Sequence, residues 1–166
     1  ILANIYLMDI DKKYSNNSSI SYYRFVDDIL ILCDKKHTEK IKLSIINDLK
    51  KLELETNEKV DSGNINKGFE YLGYKFVPPI VSVRESTVLK LEYSLEHIFS
   101  CYKHAKKPNI NFLLWKLNLK ITGCIIDGKK YGWLFYFSQI NDMELLTCLD
   151  CLVKNCVLDL NCRLKS

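Results

Sequence analysis

Ser21-Tyr-Tyr-Arg-Phe-Val-Asp-Asp-Ile-Leu-Ile-Leu-Cys33 is the stretch on which the fold turns. Ser21–Val26 is rich in aromatic and β-branched residues, Ile29–Cys33 is apolar throughout, and two acids, Asp27 and Asp28, stand between them. Two strand-like runs interrupted by two acids predict a β-hairpin with the acids at or near its tip. The second run is apolar on both faces, which predicts a strand in the middle of a covered sheet. Asp suits a tight turn, so the pair has a plain structural reading. It also has a chemical one. Carboxylates flanked by sheet packing need a compensating partner, and a divalent cation is the natural choice. Mg²⁺ takes a few carboxylate oxygens together with waters and substrate phosphates, and two such ions stabilise the attacking and leaving oxygens of a phosphoryl transfer.

Upstream, Ile1–Met8 is apolar apart from Asn4 and is expected to be a buried helix end. It opens in mid-segment without an initiator methionine, so the polypeptide is expected to be a piece of a longer one. Asp11–Ser19 is polar, with turn chemistry in Asn16-Asn-Ser-Ser, and is expected to be a loop. Downstream, Thr38 is placed to cap a helix whose apolar positions Ile41, Ile45, Leu49 and Leu52 recur at helical spacing, leaving Lys40, Lys42, Asp48 and Lys51 largely for solvent. Leu52–Lys59 alternates like a short strand, and Gly68–Val77 reads as a strand pair broken at Gly73. Pro78-Pro79 is the expected boundary between a first region, 1–79, and a second, 80–166.

Beyond it the apolar period becomes helical. Val88, Leu91, Leu95, Ile98, Phe99 and Tyr102 form one stripe, Ile110, Leu113, Leu114, Leu117 and Ile121 a second, and Leu145, Leu146, Leu149, Leu152, Val153 and Cys156 a third. The Asp127-Gly-Lys-Lys loop and an aromatic cluster, Tyr131, Trp133, Phe135, Tyr136 and Phe137, separate the second stripe from the third. The fold class is therefore α+β: an antiparallel sheet with packed helices, then a helical bundle.

Hydrophobic residues make up 48% and charged residues 27% of the 166 positions, a profile that argues against disorder. The net charge of +4 is unevenly placed. Residues 1–79 hold 12 basic and 12 acidic side chains, whereas 80–166 hold 12 and 8. Lys103, Lys106, Lys107, Lys116, Lys120, Lys129 and Lys130 face the single acid Asp127, which describes either a solvated face or a surface for a nucleic-acid backbone. Seven cysteines without a disulfide-like spacing point to free thiols and a cytoplasmic setting. Cys148, Cys151, Cys156 and Cys162 could suggest zinc, the first two being spaced C-x-x-C, but the cysteines and apolar residues of Met143–Val157 follow helical periodicity and are expected to pack in a core. No apolar run is long enough to span a bilayer.

Phe25-Val26-Asp27-Asp28 ahead of an apolar strand resembles the [Y/F]-x-D-D motif of reverse transcriptases, and three further segments are similar to that family in the same order. Leu2-Ala-Asn-Ile-Tyr-Leu resembles the end of S-P-x-L-A-N-I-Y-L. Leu52-Glu-Leu-Glu-Thr-Asn-Glu-Lys59 resembles the motif whose lysine lies near the nucleotide phosphates. Phe69-Glu-Tyr-Leu-Gly-Tyr-Lys-Phe resembles the F-L-G-[YF] hairpin that grips the primer terminus. The four matches cover residues 1–76. Gly132-Trp-Leu-Phe-Tyr-Phe is similar to a Gly-Trp-aromatic patch in group II intron, retron-like and phage-defence members; here it is assigned to packing rather than to base stacking.

The resemblance implies the rear part of a polymerase palm followed by a thumb that holds duplex phosphates, and an RNA-directed DNA polymerase that extends a primer with deoxynucleoside triphosphates on an RNA template. It implies Asp27 and Asp28 as ligands to two Mg²⁺ ions, with Mn²⁺ a substitute, and Lys59 as proton donor or charge stabiliser at the departing pyrophosphate. An exposed lysine closing a strand is the alternative for Lys59. Leu72, Gly73 and Tyr74 would hold the primer end; Asn4, Phe25 and Val26 would lie at the nucleotide, although Asn4 equally suits a helix cap. The family's further catalytic aspartate and its fingers precede the matched segments, so a missing N-terminal segment or complementary chain is an expected partner and this chain alone is expected to be inactive. A non-catalytic nucleic-acid-binding module is the alternative.

Overall fold

The computed structural model describes residues 2–57 and 60–164, with side chains placed for 4–57 and 60–160. It is a mixed α+β chain with small antiparallel sheets, divided into two compact units, Ile1–Leu72 and Gly73–Ser166.

In the first unit, helices α1 (Leu2–Tyr6) and α2 (Met8–Ser15) lead into strands β1 (Ile20–Phe25) and β2 (Asp28–Cys33), and helix α3 (Thr38–Lys51) follows. Leu7, Ile10 and Tyr14, spaced by three and four, are buried with Ile45 and Leu49 of α3, four residues apart. These spacings put each set on one helix face. Strand β1 alternates, turning Ile20, Tyr22 and Arg24 inward and Ser21, Tyr23 and Phe25 outward. Its register with β2 sets Tyr22 opposite Ile31 and Arg24 opposite Ile29, so one face of the hairpin completes the core.

Several expectations are corrected here. Helices α1 and α2 meet at Leu7, and of the described side chains of the Ile1–Met8 segment Ile5, Tyr6 and Met8 are exposed while Leu7 is buried. Helix α2 runs on to Ser15, because Ile10 and Tyr14 continue its apolar stripe through polar neighbours. Among the described residues β2 pairs with β1, and its side chains from Ile29 to Cys33 are half-buried rather than enclosed by a covered sheet. Thr38 begins α3 without capping it; its hydroxyl lies 3.8 Å from Cys33 Sγ. Asp48 is not left to solvent, since Lys13, Tyr14 and Lys51 converge on it. Leu52–Asn57 has no strand, and Lys59 lies outside the described residues. Strand β3 (Phe69–Tyr71) closes the unit.

The second unit opens with strands β4 (Tyr74–Val77) and β5 (Ile80–Val83), antiparallel, with the cis Pro78-Pro79 bond in the turn between them. Pro78-Pro79 thus lies inside this unit. Helices α4 (Glu85–Lys103), α5 (Ile110–Ile121) and α7 (Met143–Leu164) form the bundle, with the short α6 (Trp133–Tyr136) ahead of α7. Leu91, Leu95, Phe99, Leu113, Leu117, Leu149 and Leu160 make its core, with Val88, Ile98, Tyr102, Ile121, Trp133 and Cys156 among the half-buried side chains around it. All three stripes contribute. Ile110 and Leu114 fall on the exposed flank of theirs. Asn109 accepts the Phe112 N–H at the start of α5, and Asp142 accepts the Leu145 N–H at the start of α7.

Between α5 and α6 the expected loop is instead a hairpin, β6 (Cys124–Ile126) and β7 (Lys129–Tyr131), turning at Asp127-Gly128. Gly123 and Gly132 close its base. A Cβ on Gly123 would lie 1.6 Å from the Tyr131 carbonyl oxygen, and one on Gly132 would lie 2.5 Å from the Gly123 Cα. Both glycines also have positive φ. Cys148 and Cys151 lie exposed on α7 rather than in its core, whereas Cys156 is half-buried and burial raises its thiol pKa. The described cysteines are free thiols. Among the described residues no helix is long and apolar enough to cross a membrane.

Candidate functional site

Phe25 pairs with Asp28 across a two-residue turn, Val26-Asp27, so Asp27 occupies the hairpin tip and Asp28 opens β2. Phe25, Val26, Asp27 and Asp28 are all exposed. The acid pair is therefore solvated in this chain, which corrects the expectation that sheet packing desolvates it. Val26 carries a φ of 58°, unusual for a β-branched residue.

Five polar side chains, Asn4, Asp11, Tyr22, Arg24 and Tyr71, form hydrogen bonds behind the turn. Arg24, whose side chain is 9% exposed, donates from Nε and Nη2 to the two oxygens of Asp11 at 2.8 and 2.6 Å. Its remaining nitrogen, Nη1, donates to the Val26 carbonyl at 2.6 Å and to Asn4 Oδ1 at 3.2 Å. Tyr22 donates its hydroxyl to Asp11 Oδ1 at 2.8 Å. The Arg24 hydrogen bonds hold the Asp11 carboxyl below its usual pKa despite partial burial, while burial and the Asp11 carboxylate push the Tyr22 phenol well up. Tyr71, on β3, donates to the Asp28 carbonyl at 3.3 Å; burial, with the Asp28 charge second, raises its pKa.

Sequence reasoning singled out neither Asp11, Tyr22, Arg24 nor Tyr71 as a site residue. The signal for Arg24 is that it is the one charge on an otherwise aromatic and β-branched strand, at an inward position of the alternation. Asn4 is joined to this cluster through Arg24.

The other candidates fall elsewhere. Leu72 and Gly73, with φ of 51° and 82°, form the two-residue turn between β3 and β4. A Cβ on Gly73 would meet Phe137 at 3.4 Å, so the conformation more than the space demands glycine. Tyr74 is engaged in packing: its ring meets Phe76, Tyr136 and Phe137, and its hydroxyl donates to the Tyr136 carbonyl at 2.5 Å. Phe137 is buried and Trp133 is half-buried against the bundle core, but Leu134 and Tyr136 of the same patch are exposed, as is Tyr131, so the packing assignment holds for only part of it.

Six of the seven lysines are exposed; Lys116 is half-buried, its ammonium 4.8 Å from the centre of the Phe112 ring. Lys103 ends α4, Lys106 and Lys107 follow it, Lys116 and Lys120 lie on α5, and Lys129 and Lys130 on β7. Lys120 borders a shallow groove with Lys90, Tyr93, Ser94 and Trp133.

Chemically, Asp27 and Asp28 suit a hard cation that retains water and phosphate ligands, since Mg²⁺ needs only one or two carboxylates from a protein. Among the described residues no group of three or more His, Cys, Asp or Glu side chains is gathered as a metal site, so the pair would be a partial ligand set. No family model and no curated protein matches the chain.

Proposed function

We propose that this chain is the rear of a reverse-transcriptase palm followed by a thumb, acting in a polypeptide that adds deoxynucleotides to a primer 3′ end. The observation that carries the reading is the acid pair at the tip of a tight hairpin, preceded and followed by the other motif-like segments in the family's order. Asp27 and Asp28 would hold Mg²⁺, which supplies stabilisation of the charge that develops as the phosphoryl group is transferred. The exposed pair is open to ions and to a triphosphate, so the argument for a cation rests on the paired carboxylates and not on their desolvation. The turn at Leu72-Gly73, close in sequence to Tyr71 and its bond to Asp28, would carry the primer end; Lys59 would act at the pyrophosphate. The lysine-bearing second unit would hold duplex phosphates, an interaction without base preference.

The test is Mg²⁺-dependent incorporation on a primed RNA template, with the chain in a polypeptide that supplies the upstream aspartate strand. Loss of incorporation in Asp27→Asn, with template binding retained, is the expected result. Equal template binding by both forms and extension by neither, with Mn²⁺ as well as Mg²⁺, would favour a non-catalytic binding module.

A further inference from the structure

We propose that Asp11 and Arg24, assisted by Tyr22 and Asn4, are positioning residues: a brace that fixes the Val26-Asp27 turn and, through it, the acid pair. The proposal rests on the polymerase reading for its catalytic consequence, but not for its structural one.

The turn itself is the starting point. Val26 sits at a φ that branched side chains disfavour, so the conformation persists only where its surroundings over-determine it. The Val26 carbonyl is gripped by Arg24 Nη1 at 2.6 Å. Arg24 is in turn unable to swing, because its other two nitrogens are committed to both oxygens of Asp11. Such a two-pronged charge-assisted pair fixes orientation as well as distance. Asp11 is anchored on α2 and held a third time by Tyr22, whose ring stacks on Tyr14 with centroids 5.9 Å apart. The brace therefore runs from the buried face of α2 to the peptide that carries Asp27. An exposed turn bearing two like charges would otherwise be free to flex, and a metal site tolerates little displacement of its ligands.

Lysine cannot reproduce the brace: it offers one nitrogen where Arg24 uses three. The experiment compares Tyr22→Phe, Asp11→Asn and Arg24→Lys in this chain by ¹⁵N relaxation of the Val26 and Asp27 amides. The expected result is a graded loss of order in that sequence, from about 0.85 to below about 0.6 in Arg24→Lys, with the amides of Tyr22 and Ile31 still rigid. Tyr22→Phe keeps the ring and its packing, so a graded effect remains measurable if Arg24→Lys unfolds the first unit. In the complete polypeptide kcat should fall in the same order, reaching at least tenfold in Arg24→Lys, with a raised Mg²⁺ concentration for half-maximal rate and KM for primer-template within twofold.

A turn as ordered in Asp11→Asn and Tyr22→Phe as in the native chain overturns the brace. Loss of order without any change in kcat or Mg²⁺ requirement overturns its positioning role. An Asp27→Asn form that still incorporates nucleotides overturns the polymerase reading instead, and the relaxation result continues to decide whether the brace holds the turn.

Discussion

The two units are held together by different kinds of interaction. The second is a bundle whose core, among the described residues, is six leucines and a phenylalanine, all apolar. The first has a smaller apolar core, and its elements are also tied by two ionic clusters: Arg24 with Asp11 and Tyr22, and Asp48 with Lys13, Tyr14 and Lys51. Leucine packing is indifferent to pH and tolerant of small rotations, whereas a guanidinium fork fixes angle and register. The region that carries the acid pair is thus the one built for orientation, and the lysine-bearing region is the one built on bulk burial.

That contrast can be broken most forcefully from the leucine side. Leu95, 1% exposed, is the most enclosed side chain in the bundle. Leu95→Ala should destabilise the second unit by about 4 kcal/mol, as a cavity in a tightly packed core does. Both tryptophans, Trp115 and Trp133, lie in this unit, so denaturant unfolding followed by their fluorescence reads it selectively. A change under about 1 kcal/mol would mean that the leucine core is not what holds it.

Gly123→Ala should follow at about 3 kcal/mol, because it combines a disfavoured φ with a clash against the Tyr131 carbonyl. The same fluorescence measurement checks it.

Acid sharpens the comparison from the other side. The Lys13 hydrogen bond, with Lys51 and Tyr14 assisting, depresses the Asp48 carboxyl from 3.8 to about 2. A depressed folded pKa gives stability that is fully present above about pH 4 and is lost as pH falls through about 2. Asp11 contributes with the same sign, through Arg24. Since Lys13 and Lys51 end in solvent, the Asp48 share is on the order of 1 kcal/mol. NMR signals of Tyr14 and Tyr22, followed in urea at about pH 5 and about pH 2.5, should show this loss, and Asp48→Asn should remove most of it. In the second unit Asp142, held low by the Leu145 N–H and Ser82, is the corresponding acid-sensitive group.

The smallest effect is expected for Lys129→Ala with Lys130→Ala. Stability should move by less than about 0.5 kcal/mol, while the slope of log affinity for duplex nucleic acid against log salt should fall by about 1 for each phosphate no longer neutralised. An unchanged slope would remove the β6–β7 hairpin from the proposed nucleic-acid surface.

Periodicity reveals most of the scaffold, because helix and strand spacings are local properties: the stripes through Leu91, Leu95 and Phe99, and the strands flanking Asp27-Asp28, are where spacing puts them. What escapes it depends on partners distant in sequence. Asp11 reads as loop polarity until Arg24, thirteen residues on, gives it a place on a helix. The exposure of Phe25 to Asp28 is not legible in an apolar sequence, since strand composition does not say what covers the strand. Cys148 and Cys151 follow the helical period yet face solvent, because periodicity fixes a helix without fixing which flank is buried. The β6–β7 hairpin is hidden for a simpler reason: its strands are too short to alternate visibly, and the cue lies in Gly123 and Gly132, glycines whose role is to let two backbones touch.

That backbone meeting makes the hairpin a self-contained cassette. Its two ends join at glycines rather than through side chains shared with the leucine core, so its length and the charges at its tip are free to change while α5 and α6 stay in place. Exchanging the Asp127-Gly128 tip for another sequence would then alter what the second unit touches without redesigning the bundle that carries it.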